Sequence, residues 1–431
     1  MFTLIKFELK KLLGRRVAQV ACIGILVMLA GVMALNVVQQ KTSSSDGEII
    51  SGTEAIACRH AADDAHAGKL TPERVAADVR TYMEAVFSQV DPEDVVDLSD
   101  AAAYQLMLET YPRETRAVIF DSYYSYLLSP WNPGGREPYQ VAADLIAQAG
   151  SAEAAAQQAG QAFLGAIAAK VRDSLDDGMR GTWTYSDAER AFWTDKQEQV
   201  AEPLAYGYAD GWDDILNCAA FLAFAMVAVC VALAPMFAGE YQQGADAVLL
   251  ASRYGRTKLI VAKLAAAFVF TTAYFALATA IIVGVALAFF GADGAGLPVQ
   301  AMSLSIPYNL TMAQATAAAL GLAYLMALGF AALTLALSAL FRSILAVFAL
   351  DVALIFITGL LPTGGNGVLM HIQYLFPLNT LVPSPLLSDM VSYPLGPVVV
   401  GLIGMAALVY AVVLLVCAPA SALVWRRHQV A

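Results

Sequence analysis

The stretch ILNCAAFLAFAMVAVCVALAPMFA, residues 215–238, contains no charged residue. About 20 mostly apolar residues are enough for a helix to cross a bilayer. A continuous apolar run of this kind indicates a helix rather than a strand of a membrane barrel, in which apolar and polar residues alternate over about ten positions. The stretch therefore predicts a transmembrane helix.

Five further stretches of similar character lie on either side of it. Four of them carry no charge, and these are residues 17–38, 264–290, 314–341 and 395–424. The fifth, residues 343–361, is shorter and contains one acid, Asp351. Residues 17–38 exceed the 7–15-residue apolar core of a signal peptide, so we interpret them as an uncleaved anchor. The predicted fold class is an all-α membrane protein with six transmembrane helices.

The composition of the whole chain agrees with this class. Of its 431 residues, 59% are hydrophobic and 14% are charged, whereas a soluble domain is usually about 45–50% apolar and about 25% charged. The net charge of −11 argues against a nucleic-acid-binding protein, which needs a basic surface. The five cysteines form neither a disulfide framework nor a zinc-binding spacing.

Lysine and arginine predict the orientation. Five basic residues lie in residues 1–16 and four in residues 239–263, and Arg342, Arg426 and Arg427 follow. The loops 291–313 and 362–394 contain none. The positive-inside rule therefore places both termini in the cytoplasm of a multi-pass protein of the plasma membrane.

Residues 39–214, between the first two spans, form the one large predicted domain. They carry 13 basic and 30 acidic residues, a net charge of −17, whereas the remainder of the chain has a net charge of +6. The segment is long enough to bury its own core. It contains helix-start signals such as Thr71-Pro72-Glu73 and shows no strong strand or hairpin pattern. We expect a mostly helical extracytoplasmic domain inserted between helices 1 and 2.

Several side chains in this domain are candidates for function. The residue types of zinc ligands occur close together at Cys58, His60, Asp63, Asp64 and His66, but their spacing matches no known site and favours a polar stretch of helix. A bridge between Cys58 and Cys218 stays open as an alternative.

Aromatic residues form two groups in the same domain. Tyr123, Tyr124, Tyr126 and Trp131 are more typical of a packed core than of a ligand surface. Tyr206, Tyr208 and Trp212 directly precede the second span, which predicts an interfacial belt at headgroup level.

The predicted cytoplasmic side carries the most specific pattern. Residues 1–16 predict an amphipathic interfacial helix, with Phe2, Ile5, Leu9 and Leu12 on one face and Lys6 and Lys10 on another. Residues 239–263 form a basic loop that contains a leucine pair, Leu249 and Leu250. Such a loop at the membrane edge favours docking of a soluble partner. The alternative is a positive-inside loop in which the leucine pair has no special role.

Together, the basic leader, the large insertion after span one, the Glu-x-x-x-Gly…Leu-Leu-x-Ser…Arg loop and the six-span layout resemble the permease subunit of a bacterial ABC-2 type ABC transporter. The resemblance implies that the loop is a coupling helix that contacts an ATPase. The residues that match this role are Glu240, Gly244, Leu249, Leu250, Ser252, Arg253 and Arg256. The insertion is larger than the short loop of many members of that family.

The resemblance also implies partners. The chain lacks the Gly-x-x-x-x-Gly-Lys-Ser/Thr string that holds nucleotide phosphates, so ATP is expected on a separate ABC ATPase and no cofactor or catalytic site on this chain. A second permease, identical or related, and the lipid bilayer complete the expected partners, and nucleic acid is not among them. The implied function is export of an amphipathic, lipid-like, peptide or drug-like substrate.

Two features remain open at this stage. Asp351, inside a predicted span, either lines a pathway, carries a proton, or accepts a hydrogen bond from a neighbouring span. Nine residues separate it from Arg342, about 13 Å along a helix and too far for direct contact. Residues 362–394, rich in Pro and Gly, predict an outer segment that either contains re-entrant pieces or is a plain loop. The alternative function is that of a membrane-anchored sensor or cell-surface binding protein that acts through its acidic outer domain. An intramembrane zinc protease is disfavoured, because the motif His-Glu-x-x-His does not occur in the sequence.

Overall fold

The structure is a computed structural model. It describes residues 1–43, 49–88, 91–92, 109–110, 112–119, 121–132, 136–362 and 365–428. This part of the chain is mostly helical. Within it, five helical stretches are long and apolar enough to cross a membrane, and they are Arg16–Gln39, Asp210–Gln242, Lys258–Phe289, Met312–Leu340 and Leu402–Arg427. They coincide with five of the six predicted spans, which confirms the membrane-embedded character of the chain.

The chain begins with α1 (Phe2–Leu13), which is followed by α2 (Arg16–Gln39), the first span. The helix predicted in residues 1–16 is therefore present. Its contacts differ from the prediction, because Glu8 and Leu12 are buried while Phe2 is exposed. The buried side of α1 packs on the third long apolar helix, so protein rather than lipid covers that face.

The region between the first two spans is helical, as predicted. Its helices are α3 (Thr53–Ala65), α4 (Pro72–Phe87), α5 (Arg113–Ile119), α6 (Ser122–Leu128), α7 (Pro138–Ala149), α8 (Ala152–Phe163), α9 (Ala166–Gly181) and α10 (Asp187–Glu198). The helix start at Thr71 is confirmed, since its side chain accepts a hydrogen bond from the backbone of Arg74. Helices α4, α6, α7 and α8 enclose one apolar core.

A second apolar core joins this region to the loops of the membrane helices. Ile167, Val171 and Trp193 of α9 and α10 pack with Leu304, which follows the third long helix, and with Leu402, the first residue of the last one. The region between the first two spans, called the outer region after its predicted side, therefore shares a hydrophobic core with the adjoining ends of the spans. It is not a domain tethered only through its two chain connections.

The second span is interrupted and ends in a corner. It consists of α11 (Asp210–Cys218), a 3-10 turn, and α12 (Leu222–Leu233), and after Pro235 the short helices α13 (Ala238–Gln242) and α14 (Ala245–Ala251) follow. The third and fourth spans are the unbroken helices α15 (Lys258–Phe289) and α16 (Met312–Leu340).

The remaining predicted span is the shortest of the six predicted membrane helices. It is α17 (Ile344–Leu360), whose 17 residues extend about 25 Å, less than the hydrocarbon core of about 30 Å. Five described helical stretches are thus long and apolar enough to span a membrane, and the sixth span stays a prediction. The outer segment that follows contains α18 (Gly367–Gln373) and α19 (Pro377–Thr380), which its Pro and Gly residues keep short.

The prediction that residues 395–424 form the last span is wrong at its start. The helix is α20 (Leu402–Arg427), and residues before it form an antiparallel hairpin of Ser392–Leu395 with Val398–Gly401. Gly396 takes a φ of +64° at the turn, and the β-branched run that follows favours a strand. Hydropathy alone does not distinguish this apolar strand from helix.

Two small antiparallel pairs lie in the mostly helical insertion, and the sequence carries no strand or hairpin signal for either. Lys41–Ser43 pairs with Ile49–Ser51, and Gly68–Lys69 pairs with Ala205–Tyr206. Each strand has only two or three residues, too few for a period-two pattern to be recognised in the sequence. They do not change the class, because helices dominate the described chain.

Candidate functional site

The loop predicted to contact a partner is a helical corner. α13 and α14 meet at Gly244, whose φ of +64° lies in the left-handed region that glycine adopts at little cost. Ser252 Oγ donates to the carbonyl of Leu249 at 2.7 Å and closes the end of α14. A Cβ on Gly255 would lie 1.7 Å from the Leu249 carbonyl oxygen, so this position accommodates only glycine without a shift of the backbone.

The seven residues assigned to coupling do not share one surface. Glu240 is 2% exposed and Leu250 packs into the core of the spans, whereas Leu249 is half-buried. Ser252, Arg253 and Arg256 are exposed. The apolar side chain that α14 presents outward is Val248, which is 75% exposed and was not singled out from the sequence.

Glu240 belongs to a buried ion cluster. The Nζ of Lys263 lies 3.0 Å from Glu8 Oε2, 3.0 Å from Glu240 Oε1 and 3.1 Å from the Met236 carbonyl oxygen. Lys11 Nζ contacts the same Glu240 oxygen at 2.5 Å. Lys263 is 1% exposed and Glu8 is 4% exposed. Because buried charges are tolerated only when they are paired, the cluster holds α1, α13 and α15 in one arrangement.

Sequence reasoning missed Glu8 and Lys263 as partners of Glu240. Glu8 is the only acid among five basic residues of the leader, and Lys263 adjoins the uncharged run that starts at residue 264. Glu8 breaks the local charge pattern and Lys263 is the charge nearest to the apolar run, and these are the signals in the sequence. Their burial depends on tertiary packing, which the pattern does not contain.

The end of the last helix is fixed to the same corner. Trp425, fully buried, donates from Nε1 to the Gly255 carbonyl at 3.3 Å. Arg256 and Arg426 each donate a hydrogen bond to the other's backbone carbonyl, at 3.1 and 3.2 Å. His428 Nε2 lies 3.0 Å from Asp246 Oδ2. The predicted cytoplasmic ends of several spans are therefore joined through this corner.

A cleft of about 630 Å³ lies between α1 and α14. Leu4, Phe7 and Val248 contribute apolar side chains to it, and Ser252 and Arg253 contribute polar ones. A concave apolar surface with a polar rim is the arrangement into which another protein inserts side chains.

Asp351 is fully buried where α17 meets its neighbours. Its Oδ2 accepts a hydrogen bond from Thr334 Oγ1 at 2.9 Å, and Thr334 is also 3.3 Å from Cys230 Sγ. In the described part of the chain, no basic side chain forms an ion pair with Asp351, and its Oδ1 has no hydrogen-bond partner. The residue thus connects α17 to α16 through one hydroxyl.

We expect Thr334→Val to lower the free energy of unfolding by about 1–2 kcal/mol, because it removes the hydroxyl that donates to a buried carboxyl group at 2.9 Å. Thr334→Ser keeps the hydroxyl and is the matched control. Thermal unfolding of the purified protein in detergent measures both. Equal stability of the two variants would show that the hydrogen bond contributes nothing.

The candidate ligands in the outer region have structural contacts instead. Tyr206 donates to Asp63 Oδ1 at 2.7 Å, and burial raises the pKa values of both groups. His60 stacks on Tyr208 at 4.0 Å, and His66 stacks on Tyr123 at 4.1 Å. Among the described residues, no three His, Cys, Asp or Glu side chains are placed to hold a metal ion.

The prediction of an interfacial aromatic belt is wrong for two of its three residues. Tyr206 and Tyr208 are buried in protein, with the Tyr206 ring 4.8 Å from that of Tyr123. Trp212 is half-buried and donates to the Ala292 carbonyl at 3.0 Å. The rings are covered because the insertion folds back over the adjoining ends of the spans.

All five cysteines are free, so the bridge between Cys58 and Cys218 is not formed.

The arrangement of the site suits contact with a partner protein and transmission of movement to the membrane helices. The corner, its cleft and the ion cluster supply a shaped surface connected to membrane helices. Comparison with family models, with curated proteins and with solved structures gives no match to this chain.

Proposed function

We propose that the chain is the permease subunit of an ABC-2 type exporter and that a separate ATPase docks on the corner formed by α13 and α14. The observation that carries the proposal is the connection of this exposed corner to the spans through the buried Lys263 cluster. A soluble motor that closes on ATP does work on a membrane protein only where its docking surface moves together with the helices.

Three contacts make that connection. The ion cluster joins the corner to α1 and to the start of α15. Leu250 anchors α14 in the core of the spans. Trp425 and Arg426 attach the end of α20. A displacement of α14 is therefore transmitted to α1 and to the second, third and last spans rather than absorbed by a loop.

The surface offered to the partner is small and mixed. Val248 and Phe7 expose apolar area beside the cleft, and Arg253 supplies a positive charge at its rim. This revises the expected contact set, because Glu240 and Leu250 act as supports of the corner and Val248 joins Arg253 as a contact residue. Charge at a rim mainly sets orientation and the rate of association.

The remaining parts of the proposal are based on the predicted topology. We propose six spans, with the short α17 as the fifth, both termini in the cytoplasm, and a dimer of permeases in the bacterial plasma membrane that exports an amphipathic, lipid-like, peptide or drug-like substrate. The core shared by the outer region and the loops of the spans supports a joint action of these parts. It favours the permease over a sensor whose outer domain acts by itself.

The test is copurification of an ATPase with the tagged chain from membranes of its source. We expect the wild type to retain a protein with a Gly-x-x-x-x-Gly-Lys-Ser/Thr motif, and Val248→Asp with Arg253→Glu to reduce its recovery at least tenfold, since both changes place negative charge on the docking surface. Arg427→Glu, in the last turn of α20, is the control with a comparable change of charge and is expected to retain the ATPase.

The proposal fails if the wild type retains no such ATPase, or if the double variant retains as much as Arg427→Glu. Mass spectrometry of the retained proteins identifies the motif directly. Thermal unfolding of each variant confirms that the corner itself is intact.

A further inference from the structure

A second cavity, of about 420 Å³, lies at the opposite end of the spans. It is formed where the end of α2, the helix α3 and the start of α11 meet. Six acidic or amide side chains of α2 and α11 line it, and they are Asn36, Gln39, Asp210, Asp213, Asp214 and Asn217. On the predicted topology this is the outer boundary of the membrane.

The carboxylates lie on one face of α11. Positions 210, 213 and 214 have the three- and four-residue spacing that places side chains next to one another on a helix. Arg59 Nη2 pairs with Asp210 Oδ2 at 3.0 Å. In the part of the chain that the structure describes, Asp213 and Asp214 form no ion pair with a basic side chain. With all three ionised and Arg59 charged, the cavity wall carries a net charge of −2.

Asp214 is held with one oxygen unsatisfied. The side chain is 8% exposed, and its Oδ1 accepts a hydrogen bond from Asn36 Nδ2. Gln40 donates to Asn36 Oδ1 at 3.0 Å, and Arg59 donates to Gln40 Oε1 at 2.8 Å. This chain of hydrogen bonds fixes the orientation of the Asn36 amide. Among the described residues, Asp214 Oδ2 has no hydrogen-bond partner.

An unsatisfied buried carboxylate oxygen destabilises the fold, and an adjacent like charge adds to that cost. A ligand that brings a positive charge into the cavity removes both penalties. The cavity also has an apolar side, with Val32, Leu35, Phe221 and Phe290 in its lining. Aromatic and aliphatic side chains suit the apolar body of an organic molecule, and aromatic faces attract cations.

We propose that this cavity binds an amphipathic organic cation, whose charged nitrogen or phosphorus centre lies beside Asp213 and Asp214 and whose apolar part lies against Phe221 and Phe290. A bare divalent ion does not suit the site, because the described carboxylates do not converge as metal ligands. The proposal concerns binding alone and does not depend on an ATPase partner. Its failure is therefore distinguishable from failure of the docking surface on α14.

The probe is tetraphenylphosphonium, and tetraphenylborate is its control of the same shape and opposite charge. Equilibrium dialysis against the full chain, purified in detergent at pH 8, measures both. We expect saturable binding of the cation by the wild type and at least tenfold weaker binding by the double variant Asp213→Asn with Asp214→Asn. The borate is expected to bind the wild type more weakly than the cation does.

The charge-matched control is Asp195→Asn with Glu198→Gln on α10, where both side chains are exposed and lie outside the cavity. It removes the same net charge from the outer region and is expected to bind the cation like the wild type. The single variant Asp213→Asn alters the half-buried acid and leaves the Asn36–Asp214 hydrogen bond in place. It is expected to weaken cation binding even if the double variant does not fold.

Equal binding of the cation to the wild type and to Asp213→Asn would overturn the proposal. Equal affinity of the wild type for the borate and the cation would also overturn it, because binding would then depend on the apolar body of the ion and not on the carboxylate charges.

Discussion

Lys263→Met is expected to destabilise the folded chain by about 3–5 kcal/mol, because it leaves a buried carboxylate without a counter-ion. Glu8, which is 4% exposed, loses the lysine at 3.0 Å. Glu240 keeps Lys11, so most of the penalty falls on Glu8 and on the packing of α1. Chemical denaturation or thermal unfolding in detergent measures the loss, and protease sensitivity of α1 reports its location.

Lys258→Met is the matched control for this variant. Lys258 begins the same helix but is exposed, with its Nζ 4.6 Å from the centre of the Tyr254 ring. We expect a change of less than about 1 kcal/mol there, the ordinary size for a surface cation–π contact.

The triple variant Glu8→Gln, Glu240→Gln, Lys263→Met distinguishes the loss of ion pairing from a general disruption of packing. Removing every charge of the buried set at once avoids an unpaired ion, and replacing a complete buried ion pair with neutral side chains is often tolerated. We therefore expect the triple variant to recover much of the stability lost in Lys263→Met. A triple variant less stable than the single one would contradict the ion-pair explanation.

The spans were predictable from the sequence because hydropathy is a local property. Residues 17–38 and 314–341 lie almost entirely within helices of the structure. The start of the last span was not predictable, because the apolar hairpin at residues 392–401, most of which is half-buried or exposed, has the same apolar composition as a membrane helix. Only the turn geometry at Gly396 separates the two.

The candidate docking site was predictable in place but not in detail. The basic loop after the second span is the exposed corner, as expected from its charge. Which side chains face outward depends on how α14 packs, so Leu250 is buried and Val248 is exposed. The role of Glu240 depends on Glu8 and Lys263, residues that are 232 and 23 positions away and reach it only through folding.

We expect Gly160→Ala to lower the free energy of unfolding of the outer region by about 3 kcal/mol. This loss outweighs the helix propensity of alanine, which is more favourable than that of glycine by about 0.5–1 kcal/mol. Gly160 lies where α8 crosses α4. A Cβ there would be 2.3 Å from the Pro72 carbonyl oxygen and 2.8 Å from Ala76 Cβ. The clash involves backbone and a short side chain, neither of which is able to turn away, so the two helices must separate.

The consequence should be local, and hydrogen exchange of the full chain is the measurement that resolves it. Amides of α4 and α8 are expected to exchange faster in Gly160→Ala, because these helices enclose the core that contains Val75, Val79 and Phe163. Gly165→Ala is the control, since its Cβ would meet only the Ala162 carbonyl oxygen at 3.7 Å. If α4 and α8 keep wild-type protection in Gly160→Ala, the close crossing does not stabilise this core. Faster exchange confined to these helices would instead show that the first outer core opens independently of the second, which is joined to the spans through Leu304 and Leu402.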